Sequence, residues 1–190
     1  MKLLLLIVLL LVSLTGGLYL AGEQLRPQPA GGDFILQGGN GPVASEDYRG
    51  RWVVLYFGFA SCPDVCPTSL ARWAHAINGL SAPQQQQLAL FFITLDPQRD
   101  TPELVTKYAR HFHPDFVGLS GSHEQIDAVA KRYGVIYRRV ELESAITYTI
   151  DHSSYSYLLN PQGELVRMLT DGSDVATRTQ ALRDALYSGR

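Results

Sequence analysis

The chain has 190 residues, with 16 basic and 18 acidic side chains and a formal net charge of −2. That length suits one domain with an appendage and excludes two ordinary domains joined by a linker, while 46% hydrophobic and 10% aromatic residues exclude wholesale disorder. The near-even charge balance argues against nucleic acid as a partner, since a duplex binder carries a strong basic excess, and two cysteines, Cys62 and Cys66, are too few for a disulfide scaffold.

From Leu3 to Gly22 there is no charged residue, and twenty helical residues span roughly 30 Å, the thickness of a bilayer core. A cleaved signal peptide is the rival reading, but a cut after Ala21 puts Tyr19 where a small residue is wanted. No cysteine stands there for a lipid anchor. The expectation is therefore an uncleaved transmembrane anchor over residues 1–22, a linker over 23–32 ending in Pro-Gln-Pro-Ala-Gly-Gly, and one soluble domain over 33–190. Lys2 and the α-amino group lie on the short side, so the positive-inside rule exports the domain. The N-terminal flank is too short for an Arg-rich transit peptide, which favours the periplasmic face of a bacterial inner membrane over a mitochondrion.

Within the domain, Trp52 to Phe59 (WVVLYFGF) and Leu88 to Leu95 (LALFFITL) are apolar nearly throughout, the pattern of central strands buried on both faces. Between them Leu70, Trp73, Ala74, Ile77 and Leu80 recur at helical spacing, with Pro67 in the first turn and Gly79 near the end. That is a βαβ unit, which implies parallel strands and a right-handed crossover. A second helix begins at Asp100 or Thr101, with Leu104, Val105, Tyr108 and Phe112 on one face. A third opens at Ser122, whose capping-box partner is Gln125. Phe116 to Leu119 reads as a strand end between these helices. Strand character then marks Val135–Val140, Tyr148–Ile150, Ser154–Leu159 and Leu165–Leu169, the last two joined by the turn Asn160-Pro161-Gln162-Gly163. A closing helix runs from about Asp174 to Tyr187. The order implies an α/β fold, a thioredoxin-like mixed sheet flanked by helices, with an insertion before the hairpin. Gln84 to Gln87 falls in a surface connection.

The chemistry concentrates in Ala60-Ser61-Cys62-Pro63-Asp64-Val65-Cys66-Pro67, at the C-terminal end of a parallel strand and beside a helix N-terminus. The partial positive charge there stabilises thiolate and lowers a cysteine pKa. An inert local disulfide is the structural alternative, but a ring so small gains only about 2 kcal/mol in the loop-entropy treatment. Three intervening residues, where a thioredoxin-type redox motif has two, place the sulfurs one helical turn apart, so both can face one ion. Two thiolates favour a soft ion such as Cu(I), or Zn(II) if two more ligands arrive. Of five histidines, His75 lies off the apolar face of its helix, His111 and His113 flank a helix end, and His123 sits in an exposed first turn. His152, after Asp151 and before the strand Ser154–Leu159, enters the loop that faces the cysteines in a thioredoxin-like domain.

Tyr56-Phe57-Gly58-Phe59 leading into Cys62-Pro63-Asp64-Val65-Cys66-Pro67-Thr68, then Thr94-Leu95-Asp96-Pro97-Gln98-Arg99-Asp100-Thr101-Pro102, then Asp151-His152-Ser153, resembles the signature of the Sco/SenC proteins, in the same order. The resemblance covers nearly the whole exported part. It implies a thioredoxin-like, membrane-anchored copper metallochaperone that assists assembly of the copper A centre of cytochrome c oxidase, with Cys62, Cys66 and His152 as ligands of Cu(I) or Cu(II). The implied partners are the copper A-bearing oxidase subunit, a periplasmic copper donor and a thioredoxin-like reductant. Asp64 is read either as tuning thiol acidity or meeting a partner, or as a loop and cap residue. Asp96 is read as positioning the cysteine loop, and Asp100 as a helix cap.

An enzymatic alternative stands beside this: a thiol-disulfide reductase with Cys62 and Cys66 as its redox dithiol, keeping the oxidase's copper-ligand cysteines reduced. It has no use for His152. A thiol peroxidase is weaker, because the Pro-x-x-x-Thr-x-x-Cys frame is filled by Leu55 and Phe59 before Cys62, and by Phe59 and Pro63 before Cys66.

Overall fold

A computed structural model describes residues 29–143 and 147–188. The two apolar runs form β3 (Trp52–Gly58) and β4 (Leu88–Thr94), buried at every position, and they pair in parallel. Helix α1 (Val65–Asn78) crosses between them, as the periodicity requires. β5 (Phe116–Leu119) extends the parallel set, and β8 (Tyr155–Leu159) joins β3 antiparallel with β9 (Leu165–Thr170) outside it. The sheet order is β5-β4-β3-β8-β9.

Helices cover both faces, because strands apolar on both sides must be shielded on both sides. On one face Trp73 of α1 bonds Ser156 of β8, while Tyr108 of α2 (Pro102–Phe112) packs against Phe92 of β4. Helix α4 (Val175–Ser188) lies against α1 on this side. On the other face Tyr133, closing α3 (His123–Arg132), packs on Phe57 and Tyr157, and Phe34 packs on Phe91. Gly134 follows α3 at φ +66°, the left-handed conformation that ends a helix without cost only for glycine.

Two hairpins flank the sheet. β1 (Ile35–Gly38) and β2 (Gly41–Ala44) pair with each other ahead of the core, an element the sequence pattern did not announce. β6 (Tyr137–Glu141) and β7 (Tyr148–His152) form a separate two-stranded ribbon that ends at His152. This ribbon is the insertion expected before the β8–β9 hairpin. The anchor expected over residues 3–22 lies outside the described residues, among which no helix is long and apolar enough to cross a membrane.

Candidate metal centre

β3 runs out at Gly58, and the chain turns through Phe59–Asp64 before α1 begins at Val65. Cys62 donates its N–H to Phe59 O at 3.2 Å. It therefore stands in the turn before the helix, with its sulfur over the helix end. The N–H of Cys66 donates to Cys62 Sγ at 3.4 Å. Asp64 occupies the N-cap position without capping the helix: its carboxylate accepts from the Thr68 hydroxyl, at 3.3 Å, so the sulfur takes over the capping of free helix N–H groups.

The two thiols are free and have opposite environments. Hydrogen bonding from the Cys66 thiol, helped by the N–H groups of Cys66, Asp64 and Val65, pulls Cys62 down to about 5 against the opposing effect of burial. Cys66 is fully buried, and both its bond to Cys62 and its burial push its pKa up. The general lowering expected of a helix N-terminus thus falls on Cys62 alone. Cys66 sulfur packs on Gly58: a Cβ added there would lie 2.7 Å from it and 2.9 Å from Phe92.

His152 meets this pair from the end of β7. Its Nδ1 bonds Ser153 O at 3.0 Å, which puts the ring proton on Nδ1 and leaves the Nε2 lone pair facing Cys66 Sγ at 4.0 Å. Two donors at about 2.3 Å (sulfur) and 2.0 Å (nitrogen) from one ion, at a trigonal angle, stand about 3.7 Å apart, so this pair is spaced for a shared ion. Among the described residues no group of three His, Cys, Asp or Glu side chains is already gathered round a metal-sized point. Cys62, free and half-buried at the rim, is the second sulfur available for a set of two sulfurs and one nitrogen. Such a soft, open donor set suits Cu(I).

The two acidic residues take roles other than those expected. Asp100 is no cap: Thr101 caps α2, accepting from Leu104 N–H at 3.3 Å. The Asp100 carboxylate instead accepts Ala60 N–H at 2.9 Å and the Thr94 hydroxyl at 2.6 Å, and so holds the cysteine loop. Its burial pushes its pKa up. Asp96, expected to position that loop, accepts from Arg99 and from the Tyr148 hydroxyl at 2.8 Å. Tyr148 is clasped between the Arg99 and Arg139 guanidinium groups, 3.8 and 3.7 Å from its ring centre. Asp96 thereby anchors the ribbon that carries His152. A cleft of about 360 Å³ beneath this ribbon, lined by Asp96, Gln98, His123, Asp127, Arg138 and Tyr148, includes neither cysteine nor His152.

The other histidines stay out of the site. His75 bonds Ala71 O, His111 packs on Phe112, His113 stacks on Phe116, and His123 pairs with Asp127. Sequence reasoning missed Tyr56 as a neighbour of Cys66, although its strand register puts it on the same face as α1. It also missed Asp171 and Arg178, for which no local pattern exists.

A family model described as SCO1/SenC matches residues 22–187. The chain belongs to the SCO1/SenC family. It is 41% identical over 139 residues to an SCO2-like protein of Rickettsia felis, covering 72% of this chain and 67% of that one. It is 38% identical over 153 residues to SCO1 homolog 1, mitochondrial, of Arabidopsis thaliana, covering 80% of this chain but only 46% of that longer protein. The fold agrees with the crystal structure of Arabidopsis thaliana ScoI with copper bound, at TM-score 0.76 and 35% identity over 84% of this chain and 99% of that one. It agrees equally with yeast Sco1 with copper bound, at TM-score 0.76 and 32% identity over 85% of this chain and 90% of that one.

Proposed function

We propose that this chain is a membrane-anchored copper metallochaperone whose ligands are Cys62, Cys66 and His152. The observation that carries the reading is the Nε2 lone pair of His152 held 4.0 Å from Cys66 Sγ, since a bare redox dithiol needs no third donor. Family membership and copper-bound relatives support it. Copper is the cargo: Cu(I) is satisfied by two sulfurs and one nitrogen, and Cu(II) would recruit a fourth ligand. Cys62 at the rim gives an entry and exit route, because a half-exposed thiolate is the donor an incoming protein reaches first. The recipient is the copper A-bearing subunit of cytochrome c oxidase, supplied at the periplasmic face of a bacterial inner membrane with residues 3–22 as anchor. A periplasmic copper donor and a thioredoxin-like reductant complete the cycle.

The asymmetric thiol pair favours a second reading, the thiol-disulfide reductase: a low-pKa Cys62 attacks and a buried Cys66 resolves.

Anaerobic titration of the reduced full chain in detergent separates the two, with Cu(I) against a competing chelator and with Cu(II) by visible absorption. The expected result is one equivalent bound with a sulfur-to-copper charge-transfer band, and affinity lowered more than about 100-fold in His152→Ala, beyond what loss of a supporting group costs. Unchanged affinity for both oxidation states in that variant overturns the ligand set. Oxidation to a Cys62–Cys66 disulfide with no copper retained gives the lead to the reductase.

A further inference from the structure

A buried polar chain runs from α4 to the sulfur of Cys66. Arg178 is fully buried under the sheet, its guanidinium 4.8 Å from the Trp73 ring centre. Its Nη1 donates to Ser69 O at 2.9 Å and Ser69 Oγ at 3.0 Å, and its Nη2 to Asp171 O at 3.0 Å and Asp171 Oδ1 at 3.4 Å. Ser69 Oγ donates in turn to Asp171 Oδ1. The second carboxylate oxygen, Oδ2, accepts the Tyr56 hydroxyl at 2.9 Å. Cys66 Sγ packs on Gly58, two residues along β3 from Tyr56 and so on the same strand face, and the hydroxyl and the sulfur perturb each other's ionisation.

Tyr56 has one phenolic proton and two acceptors beside it. A carboxylate is a stronger acceptor than a thiol sulfur, so the proton sits toward Asp171 and the phenol offers Cys66 no donor. Hydrogen bonds to a ligating sulfur drain its electron density and retune the metal it binds. We propose that Asp171, held by Arg178 and Ser69, is a positioning residue that turns the Tyr56 hydroxyl away from Cys66 and keeps that sulfur electron-rich. The inference rests on Cys66 being the copper-binding and redox-active thiol proposed above.

In Asp171→Asn the donors Arg178 and Ser69 retain the amide oxygen at Oδ1, and the NH₂ then faces Tyr56. The phenolic proton has nowhere to go but the Cys66 sulfur. The full chain in detergent is read in two ways. One is the energy of the sulfur-to-copper charge-transfer band of the copper-loaded protein. The other is equilibrium with glutathione: the two thiols give two protons and two electrons to glutathione disulfide, which leaves as two thiols while the Cys62–Cys66 bond forms. Asp171→Asn is expected to move the band to higher energy and shift the equilibrium about fivefold toward the dithiol, one added hydrogen bond to the reduced form. At 29.6 mV per tenfold this is about 20 mV.

Tyr56→Phe alone stays near the parent, and Asp171→Asn in the Tyr56→Phe background moves neither readout. A shift that persists without the Tyr56 hydroxyl, or no shift in its presence, overturns the proposal. Because Asp171→Asn leaves a buried guanidinium without its counter-charge, Asp171→Asn/Arg178→Gln is run beside it with the same expectations. If the parent binds no copper, the copper reading fails by itself and the glutathione equilibrium alone decides the role of Asp171.

Discussion

The carboxylate of Asp100 accepts the backbone N–H of Ala60 at 2.9 Å, across 40 positions of sequence. It is buried, and it also takes the Thr94 hydroxyl at the end of β4. One side chain thus ties the tip of β4 to the turn that presents Cys62. Asp100→Ala leaves both donors without their partner, at a cost of about 2 kcal/mol, and frees the cysteine turn. The expected outcome is a lower urea midpoint together with weaker copper binding by the folded protein. A variant that loses neither shows that the turn is held by something else.

The thiols are expected to react one at a time. Cys62 is lowered from 9.0 to about 5, whereas Cys66 is raised. Alkylation of the reduced protein by iodoacetamide at pH 7 therefore modifies one thiol quickly, and its rate falls off on acidification with a midpoint about 5. The fast phase disappears in Cys62→Ser. The same shift has a stability consequence. Because folding lowers this pKa, the thiolate contributes stability that is complete above pH 9 and is lost as pH falls through about 5. A single alkylation midpoint near 9 for both thiols contradicts the asymmetry.

Gly58 makes room for a sulfur. A methyl group there would stand 2.7 Å from Cys66 Sγ and 2.9 Å from the Phe92 ring, in a strand buried at every position. Gly58→Ala is expected to destabilise by about 1–3 kcal/mol through overpacking and to push Cys66 out of line with His152. Thermal unfolding and copper titration read the two effects separately. A fully stable variant with parent affinity places the Cys66 sulfur elsewhere.

Much of the fold was legible because its signals are local. β3 and β4 are apolar on both faces, so their residues carry no alternation and announce a sheet covered twice. α3 is announced by the Ser122–Gln125 capping box, which the structure contains in full. The β1–β2 hairpin escaped because each strand has four residues, and Gly38-Gly39-Asn40-Gly41-Pro42 reads as loop throughout. The roles expected of Asp96 and Asp100 both fail for a related reason. Both flank the same turn, and which one reaches the cysteine loop depends on Thr94, Ala60 and Tyr148, none of which is visible from local spacing. Asp171 and Arg178 lie in a turn and on a helix of ordinary composition, and their importance comes only from sharing a buried site with Tyr56.

The motif around Cys62 and Cys66, its place between a buried strand and a helix, and the family it belongs to are written in the order of residues, because strand and helix periodicity and a close-spaced cysteine pair are local properties. The meeting of His152 with Cys66 is not local: 86 positions separate them, and their approach depends on a ribbon pinned through Tyr148, Arg99 and Asp96. Nor is the division between the two thiols, since one stands just before the start of α1 and the other in its first turn, positions the sequence treats alike. Burial and hydrogen-bond donors set a thiol's acidity, and only packing in three dimensions leaves Cys62 at the rim capping free N–H groups while enclosing Cys66 beneath Gly58, Phe92 and Tyr56.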